Sequence, residues 1–143
     1  MKKSNLYYKI GAWALVILGI GHPSTHLLMT KTEEQMAMAQ SMEQFKITLL
    51  GTESNMLSFY NGFSLIMGFS ILSYGLLNLV LIKYKLNSSP NFRPILLFNS
   101  LISIATCLLS IQFFYIVPPI LFTGIASLAF ALAYLSYPKK EAL

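Results

Sequence analysis

The sequence predicts an all-α membrane protein, a bundle of four transmembrane helices with a short amphipathic helix in the first outer loop. Four stretches contain no Asp, Glu, Lys or Arg: residues 10–30, 54–82, 94–119 and 120–138. Each has the roughly 20 residues that an α-helix needs to cross the hydrocarbon core of a bilayer. Hydrophobic residues make up 55% of the chain and charged ones only 10%, below half of the roughly 25% typical of soluble domains.

The uncharged stretches place the four spans near residues 7–29, 56–82, 94–116 and 118–137 of a single domain, 1–143. Each span must be helical, because backbone groups in lipid find no water to bond. The first apolar run is longer than the roughly 7–15 residues of a signal-peptide core. We therefore expect it to be retained as a span.

Basic residues mark one side of the predicted bundle. Eight lie before span one, between spans two and three, or after span four: Lys2, Lys3, Lys9, Lys83, Lys85, Arg93, Lys139 and Lys140. The opposite side holds Lys31 and Lys46 together with four glutamates. Because cytoplasmic loops carry the excess of Lys and Arg, we expect a multi-pass protein of the cell membrane with both termini in the cytoplasm. The net charge of +5 is then a topology signal rather than a nucleic-acid patch.

The first outer loop, residues 31–55, is the only sizeable segment between spans. Its Thr32-Glu33-Glu34-Gln35 fits a capping box, which starts a helix. An apolar stripe at helical spacing follows, which predicts an amphipathic helix: Met38, Met42, Phe45 and Leu49. This helix could be a cap packed over the bundle, a lid over a cavity, or a helix on the membrane surface.

Small and polar side chains recur at heptad spacing along spans two, three and four. Such faces let membrane helices approach closely and bond across their interface. The bulkier amides among and beside them could each bond a neighbouring helix: Asn61, Asn78, Asn99 and Gln112. The single cysteine, Cys107, lies inside span three, where we expect a packing residue.

The two histidines lie four residues apart, so a helix places His22 and His26 on one face. Pro23 between them lacks an N–H and frees the carbonyl of Gly19. Several interpretations stay open: a helix kink with two hydrogen-bonded histidines, a polar anchor for an apolar ligand, metal or haem ligation, or acid–base chemistry at His22. The spacing matches the histidines of H-E-x-x-H, but its glutamate is missing.

Tyr60 and Asn61 open span two within an aromatic run, at the same end of the bundle as the histidines. Aromatic rings and an amide that converge at one end are typical of a ligand pocket. The candidate pocket residues are therefore His22, His26, Tyr60 and Asn61. We assign no catalytic residue, metal or cofactor from the sequence.

Gly21-His22 near the end of span one, followed by Phe59-Tyr60-Asn61-Gly62-Phe63 at the start of span two, resembles an uncharacterised family of small bacterial four-helix integral membrane proteins. The likeness covers roughly residues 8–85. The family often has Gly-His-Thr where this chain has Gly-His-Pro. The resemblance implies the four-helix topology, a bacterial inner membrane and a site at the outer loop, and it implies no reaction.

These patterns predict a small membrane protein, not an enzyme, that binds a lipid-like molecule or a membrane partner at the outer end of the bundle. The bilayer itself is a partner, and an oligomer is possible. Two alternatives remain. One is a membrane-embedded enzyme that acts on an apolar substrate through His22. The other is a small transporter, although the chain has no carboxylate within a span for proton coupling.

Overall fold

The protein is mostly helical, and the all-α class is confirmed. The structure, a computed structural model, describes residues 2–28, 30–84 and 92–138. Its elements in chain order are α1 (Lys2–Leu28), α2 (Glu33–Gln44), β1 (Lys46–Leu49), β2 (Thr52–Asn55), α3 (Met56–Lys83), α4 (Phe92–Leu109) and α5 (Val117–Leu135). A π-helical turn, Ser110–Phe114, continues α4.

Three helices in the described residues are long and apolar enough to cross a membrane: Met56–Lys83, Phe92–Phe114 and Val117–Leu135. They correspond to the second, third and fourth predicted spans. Helix α1 has 27 residues but is not among the three. Its first two turns carry lysines and its last two turns carry both histidines, which dilute the apolar segment between them.

Helix α1 is the centre of the bundle. It packs along both α3 and α5, and α5 packs along α4. Within the described residues, α3 and α4 make no extended helix-to-helix contact. The order of packing is therefore α3, α1, α5, α4, and the side between α3 and α4 is the loosely closed one.

Glycines set the close approach of α1 to α3. A Cβ added to Gly19 would stand 2.4 Å from the backbone N of Leu72, and one added to Gly75 would stand 2.8 Å from the backbone N of Val16. No larger residue fits at either position without separating the two helices. Small residues at such crossings allow the backbone contact that drives association in lipid.

The contacts between helices define two ends of the bundle. The start of α1 meets the end of α5, where the Ser4 hydroxyl donates to the Ala133 carbonyl at 2.8 Å. The ring of Tyr8 packs on Phe92, the first residue of α4, and on Phe130, with centroids 5.3 Å apart in each case. We call this the basic end, because Lys2, Lys3, Lys9, Lys83 and Arg93 lie toward it. The opposite end, which carries α2 and the two strands, is the hairpin end.

The predicted capping box is confirmed at the start of α2. The Thr32 Oγ1 accepts from the Gln35 backbone N at 3.3 Å, and the Gln35 Oε1 accepts from the Thr32 backbone N at 3.0 Å. None of the α2 residues is buried.

The extension of the apolar stripe along one helix through Phe45 and Leu49 was wrong. Helix α2 ends at Gln44, Phe45 caps it in an extended conformation, and β1 pairs antiparallel with β2 from Lys46–Leu49 onward. The turn between the strands places Leu50 at φ 50° and Gly51 at φ 81°. Two consecutive positive φ angles form the tight turn that joins hairpin strands, so the chain reverses where a helix would continue.

Candidate functional site

His22 and Ser64 join α1 to α3 at the hairpin end. The His22 Nε2 and the Ser64 Oγ lie 3.0 Å apart, within hydrogen-bond distance. Ser64 is buried, whereas His22 is only half-buried. The glycine one turn further along α3 makes the approach possible, since a Cβ on Gly68 would stand 2.8 Å from the Pro23 Cδ and 3.3 Å from the His22 Cδ2.

Helix α1 continues through Pro23 to Leu28. Hydroxyl groups beside the proline satisfy nearby carbonyls: the Ser24 Oγ donates to the Ile20 carbonyl at 2.7 Å, and the Thr25 Oγ1 donates to the His22 carbonyl at 2.9 Å. Side-chain hydroxyls commonly bond the preceding turn of a membrane helix in this way. The helix therefore carries His22 as a rigid element.

Tyr60 and Asn61 lie one turn before Ser64 on α3, so helical spacing places them beside the His22–Ser64 pair. Tyr60 is exposed and Asn61 is half-buried. The Asn61 amide makes no hydrogen bond to any residue that the structure describes. His26 lies one turn beyond His22 on α1, and its side chain is outside the described part of the structure.

Three of the four candidate pocket residues are thus placed at one end of the α1–α3 interface. Ser64 belongs to the small and polar side chains that recur along span two, and the sequence did not indicate it as the partner of His22. An open depression elsewhere at the hairpin end is lined by Glu43, Lys46 and residues 53–55. In the described residues no group of three His, Cys, Asp or Glu side chains could hold a metal ion.

A second polar cluster, the tyrosine–asparagine cluster, lies toward the basic end and consists of Tyr8, Tyr74, Asn78 and Asn99. The Asn99 Nδ2 donates to the Asn78 Oδ1 at 2.6 Å and to the Tyr8 hydroxyl at 3.2 Å. The Tyr74 hydroxyl donates to the Asn99 Oδ1, and the Tyr8 hydroxyl donates to the Asn78 Oδ1. The Asn78 Nδ2 donates to the Tyr74 carbonyl at 2.9 Å. The prediction that Asn78 and Asn99 bond neighbouring helices is confirmed.

The two clusters differ in chemistry. Both amides of the tyrosine–asparagine cluster are hydrogen-bonded to side chains of neighbouring helices, and the Asn78 Nδ2 also bonds the Tyr74 carbonyl of its own helix. Asn78 and Asn99 are only 1% and 3% exposed. A buried polar network of this kind fixes helix register. The His22–Ser64 pair is more open, and Asn61 beside it keeps an amide without a described partner. Of the two clusters, the one at the hairpin end therefore keeps polar groups that are not used between helices.

The His22–Ser64 distance is also that of a nucleophile and its base. Both residues, however, lie inside long helices, where backbone N–H groups are already bonded within the helix. Acyl transfer needs donors aimed at the developing oxyanion, and the helical backbone around Ser64 offers none. The geometry is better suited to binding than to acyl transfer.

Comparisons with known protein families, with curated proteins and with solved structures find no match to this chain.

Proposed function

We propose that this chain is a four-span membrane protein that binds a lipid-like molecule at the hairpin end of its bundle, with His22, Ser64 and Asn61 as polar anchors for the head of the ligand. One observation carries the proposal. Two apolar helices bring together the half-buried His22, its buried partner Ser64 and the adjacent Asn61, whose amide has no hydrogen-bond partner among the described residues.

The central position of α1 supports the proposal that α1 also crosses the membrane, in addition to the three apolar helices. Two helices that are apolar enough to cross a membrane, α3 and α5, pack along α1 on two sides. Large apolar side chains of α1 are exposed at helical spacing: Leu6, Ile10, Trp13, Ile17 and Ile20. This stripe is typical of a helix face turned to lipid. A helix that lies between two membrane spans meets the same lipid on its outward face as those spans do.

The distribution of charge supports an orientation with both termini in the cytoplasm. In the described residues every acidic side chain lies within residues 33–53, at the hairpin end. Five basic residues lie toward the opposite end and none of the described acidic ones does. The excess of Lys and Arg marks the cytoplasmic side, so the proposed ligand site faces the outer leaflet.

The loose side of the bundle supports access from the membrane. Helices α3 and α4 are bridged toward the basic end by the Tyr74–Asn99 and Asn78–Asn99 hydrogen bonds, and they make no extended contact in the described residues. An apolar tail could enter from the bilayer between them toward the hairpin end. The Ser64 hydroxyl can donate one hydrogen bond and accept two, so it can bond a ligand oxygen while it remains bonded to His22.

Native mass spectrometry of the protein released from mild detergent tests this proposal. We expect a reproducible added mass that is lost in His22→Ala and in Asn61→Ala. Gln112→Ala is the matched control, because it removes an exposed amide at the same end and should keep the adduct. Thermal unfolding of each variant identifies any that fail to fold. A wild-type protein without adduct, or an adduct that survives both substitutions in folded protein, overturns the proposal.

A further inference from the structure

We propose that Arg93 binds the phosphate head group of an anionic lipid at the basic end of the bundle. Arg93 is the second residue of α4. Its guanidinium Cζ lies 5.0 Å from the centre of the Tyr134 ring on α5. The Nε is buried and has no hydrogen-bond partner among the described residues. This site is separate from the proposed ligand site at the hairpin end. The two proposals have in common only that the protein is inserted in a membrane.

Two sets of contacts hold the guanidinium in position: those of the neighbouring Phe92 and that of the Tyr134 ring. Phe92, the preceding residue, is 2% exposed and packs its ring on Tyr8 and on Tyr137, with centroids 5.3 and 6.2 Å apart. This packing holds the first turn of α4 in place. The ring of Tyr134 then supports one face of the guanidinium, as cation–π pairs do. The terminal Nη groups of Arg93 are not among the buried atoms and make no hydrogen bond to a described residue, so they remain as donors.

No described part of the chain supplies the missing anion. All the acidic side chains that the structure describes lie within residues 33–53, at the hairpin end. Lys2, Lys3, Lys9 and Lys83 share the basic end with Arg93 and add positive potential to it. The sequence has one further acidic residue, Glu141, outside the described residues. The acceptor for Arg93 therefore lies outside the described residues, either elsewhere in the chain or in another molecule.

The bilayer offers a suitable acceptor at this depth. Arg93 lies where the apolar part of α4 begins, which is where lipid head groups meet the hydrocarbon core. A guanidinium presents a rigid planar fork that matches two oxygens of a phosphate, whereas an ammonium acts as a point charge. Basic pockets between helices at the cytoplasmic face are typical sites for anionic lipids. The chemistry at Arg93 therefore favours a lipid phosphate with a net negative charge.

The test measures binding of phosphatidylglycerol and phosphatidylcholine to the purified protein in neutral detergent by native mass spectrometry. We expect one phosphatidylglycerol to bind in preference to phosphatidylcholine. Arg93→Gln should weaken this binding more than tenfold. Arg93→Lys should weaken it by less, because the charge remains but the planar fork is lost. Lys83→Gln is the matched control for charge, and it should cost no more than about fivefold, the effect of one basic residue near an anionic surface.

Further variants separate this site from its alternatives. His22→Ala should not change phosphatidylglycerol binding. Failure of the proposed site at the hairpin end can therefore be distinguished from failure of the site at Arg93. Glu141→Gln should leave binding unchanged; a large increase would show that this carboxylate occupies the guanidinium instead, and would overturn the proposal. Equal losses in Arg93→Gln and Lys83→Gln would indicate a diffuse basic surface and overturn it as well. Displacement of the lipid by millimolar inorganic phosphate would show a site for free phosphate rather than for a lipid.

Discussion

Replacing Asn99 with alanine removes three hydrogen bonds from the tyrosine–asparagine cluster. The Asn99 side chain accepts from Tyr74 and donates to Asn78 and Tyr8. Polar bonds between membrane helices average about 0.6 kcal/mol, so the three together contribute about 2 kcal/mol. Because Asn99 is 3% exposed, water does not replace the lost partners, and the cavity adds to the loss. We expect the free energy of unfolding to fall by at least about 2 kcal/mol.

The native cysteine provides the assay. Cys107 is half-buried on α4, and its Sγ lies 3.8 Å from the position that a Cβ on Gly124 would occupy. A thiol-reactive fluorogenic dye therefore reports the separation of α4 from α5 during thermal unfolding in mild detergent. For a chain of this size about 1 kcal/mol shifts the midpoint by roughly 3 °C. Asn99→Ala should lower the midpoint by about 6 °C.

A matched control and a double substitution make this prediction specific. Gln112→Ala removes an exposed amide that makes no hydrogen bond in the described residues, and it should shift the midpoint by less than about 1 °C. Tyr74→Phe alone should lower the midpoint by about 2 °C. In the Asn99→Ala background it should cost nothing further, because the Tyr74 hydroxyl has already lost its acceptor. A shift below about 2 °C for Asn99→Ala, or additive shifts for the pair, would refute the reasoning.

Other substitutions test the local geometry. Gly19→Ala places a Cβ 2.4 Å from the Leu72 backbone N and should lower the midpoint by more than Asn99→Ala does; Gly62→Ala, with nothing within 4 Å of the added Cβ, should leave it unchanged. Leu50→Asn should slow amide hydrogen exchange in the hairpin, because asparagine tolerates the φ of 50° at this position better than leucine does. Thr32→Ala should speed exchange in the first turn of α2, since loss of an N-cap costs about 1 kcal/mol; unchanged exchange would contradict the role of the capping box.

The sequence predicted the three apolar helices to within a few residues. Helix α3, Met56–Lys83, begins at the predicted residue 56, and α5, Val117–Leu135, begins one residue before the prediction. The agreement has a physical cause, because bilayer thickness sets the length of an uncharged run. Helix α1 begins at Lys2, five residues before the predicted span. The lysines in its first turns bounded the predicted span, but they do not end the helix.

The hairpin was missed because its sequence signal is weak. The apolar spacing of Met38 and Met42 continues to Phe45 and Leu49, so periodicity alone extends the helix. The turn places leucine at its first positive-φ position, where hairpins usually have asparagine, aspartate or glycine. Gly51 was the one local signal of the turn. Pairing between β1 and β2 outweighed the periodic pattern.

The His22–Ser64 pair could not be predicted from spacing along either helix. Its formation depends on how α1 and α3 rotate and cross, which is set by contacts at both helices. Gly19 and Gly75 allow the backbones to meet, and Gly68 accommodates Pro23. Small residues in the sequence indicated that close contact occurs, but each helix has more than one small face. The tyrosine–asparagine cluster was anticipated only as amides that bond some neighbouring helix.

The two polar clusters should respond oppositely to substitution, and this separates structure from function. Asn99 is buried, and its side chain makes three hydrogen bonds within the tyrosine–asparagine cluster. Its loss should therefore lower the thermal midpoint, while folded protein should still carry the proposed adduct at the hairpin end. Asn61 is half-buried, and its amide has no partner among the described residues. An amide in such a place is stable only where water or a ligand meets it. Asn61→Ala should therefore remove the adduct and leave the midpoint within about 1 °C of wild type. If both substitutions changed both measurements alike, the hairpin end would be a structural cluster like the other one.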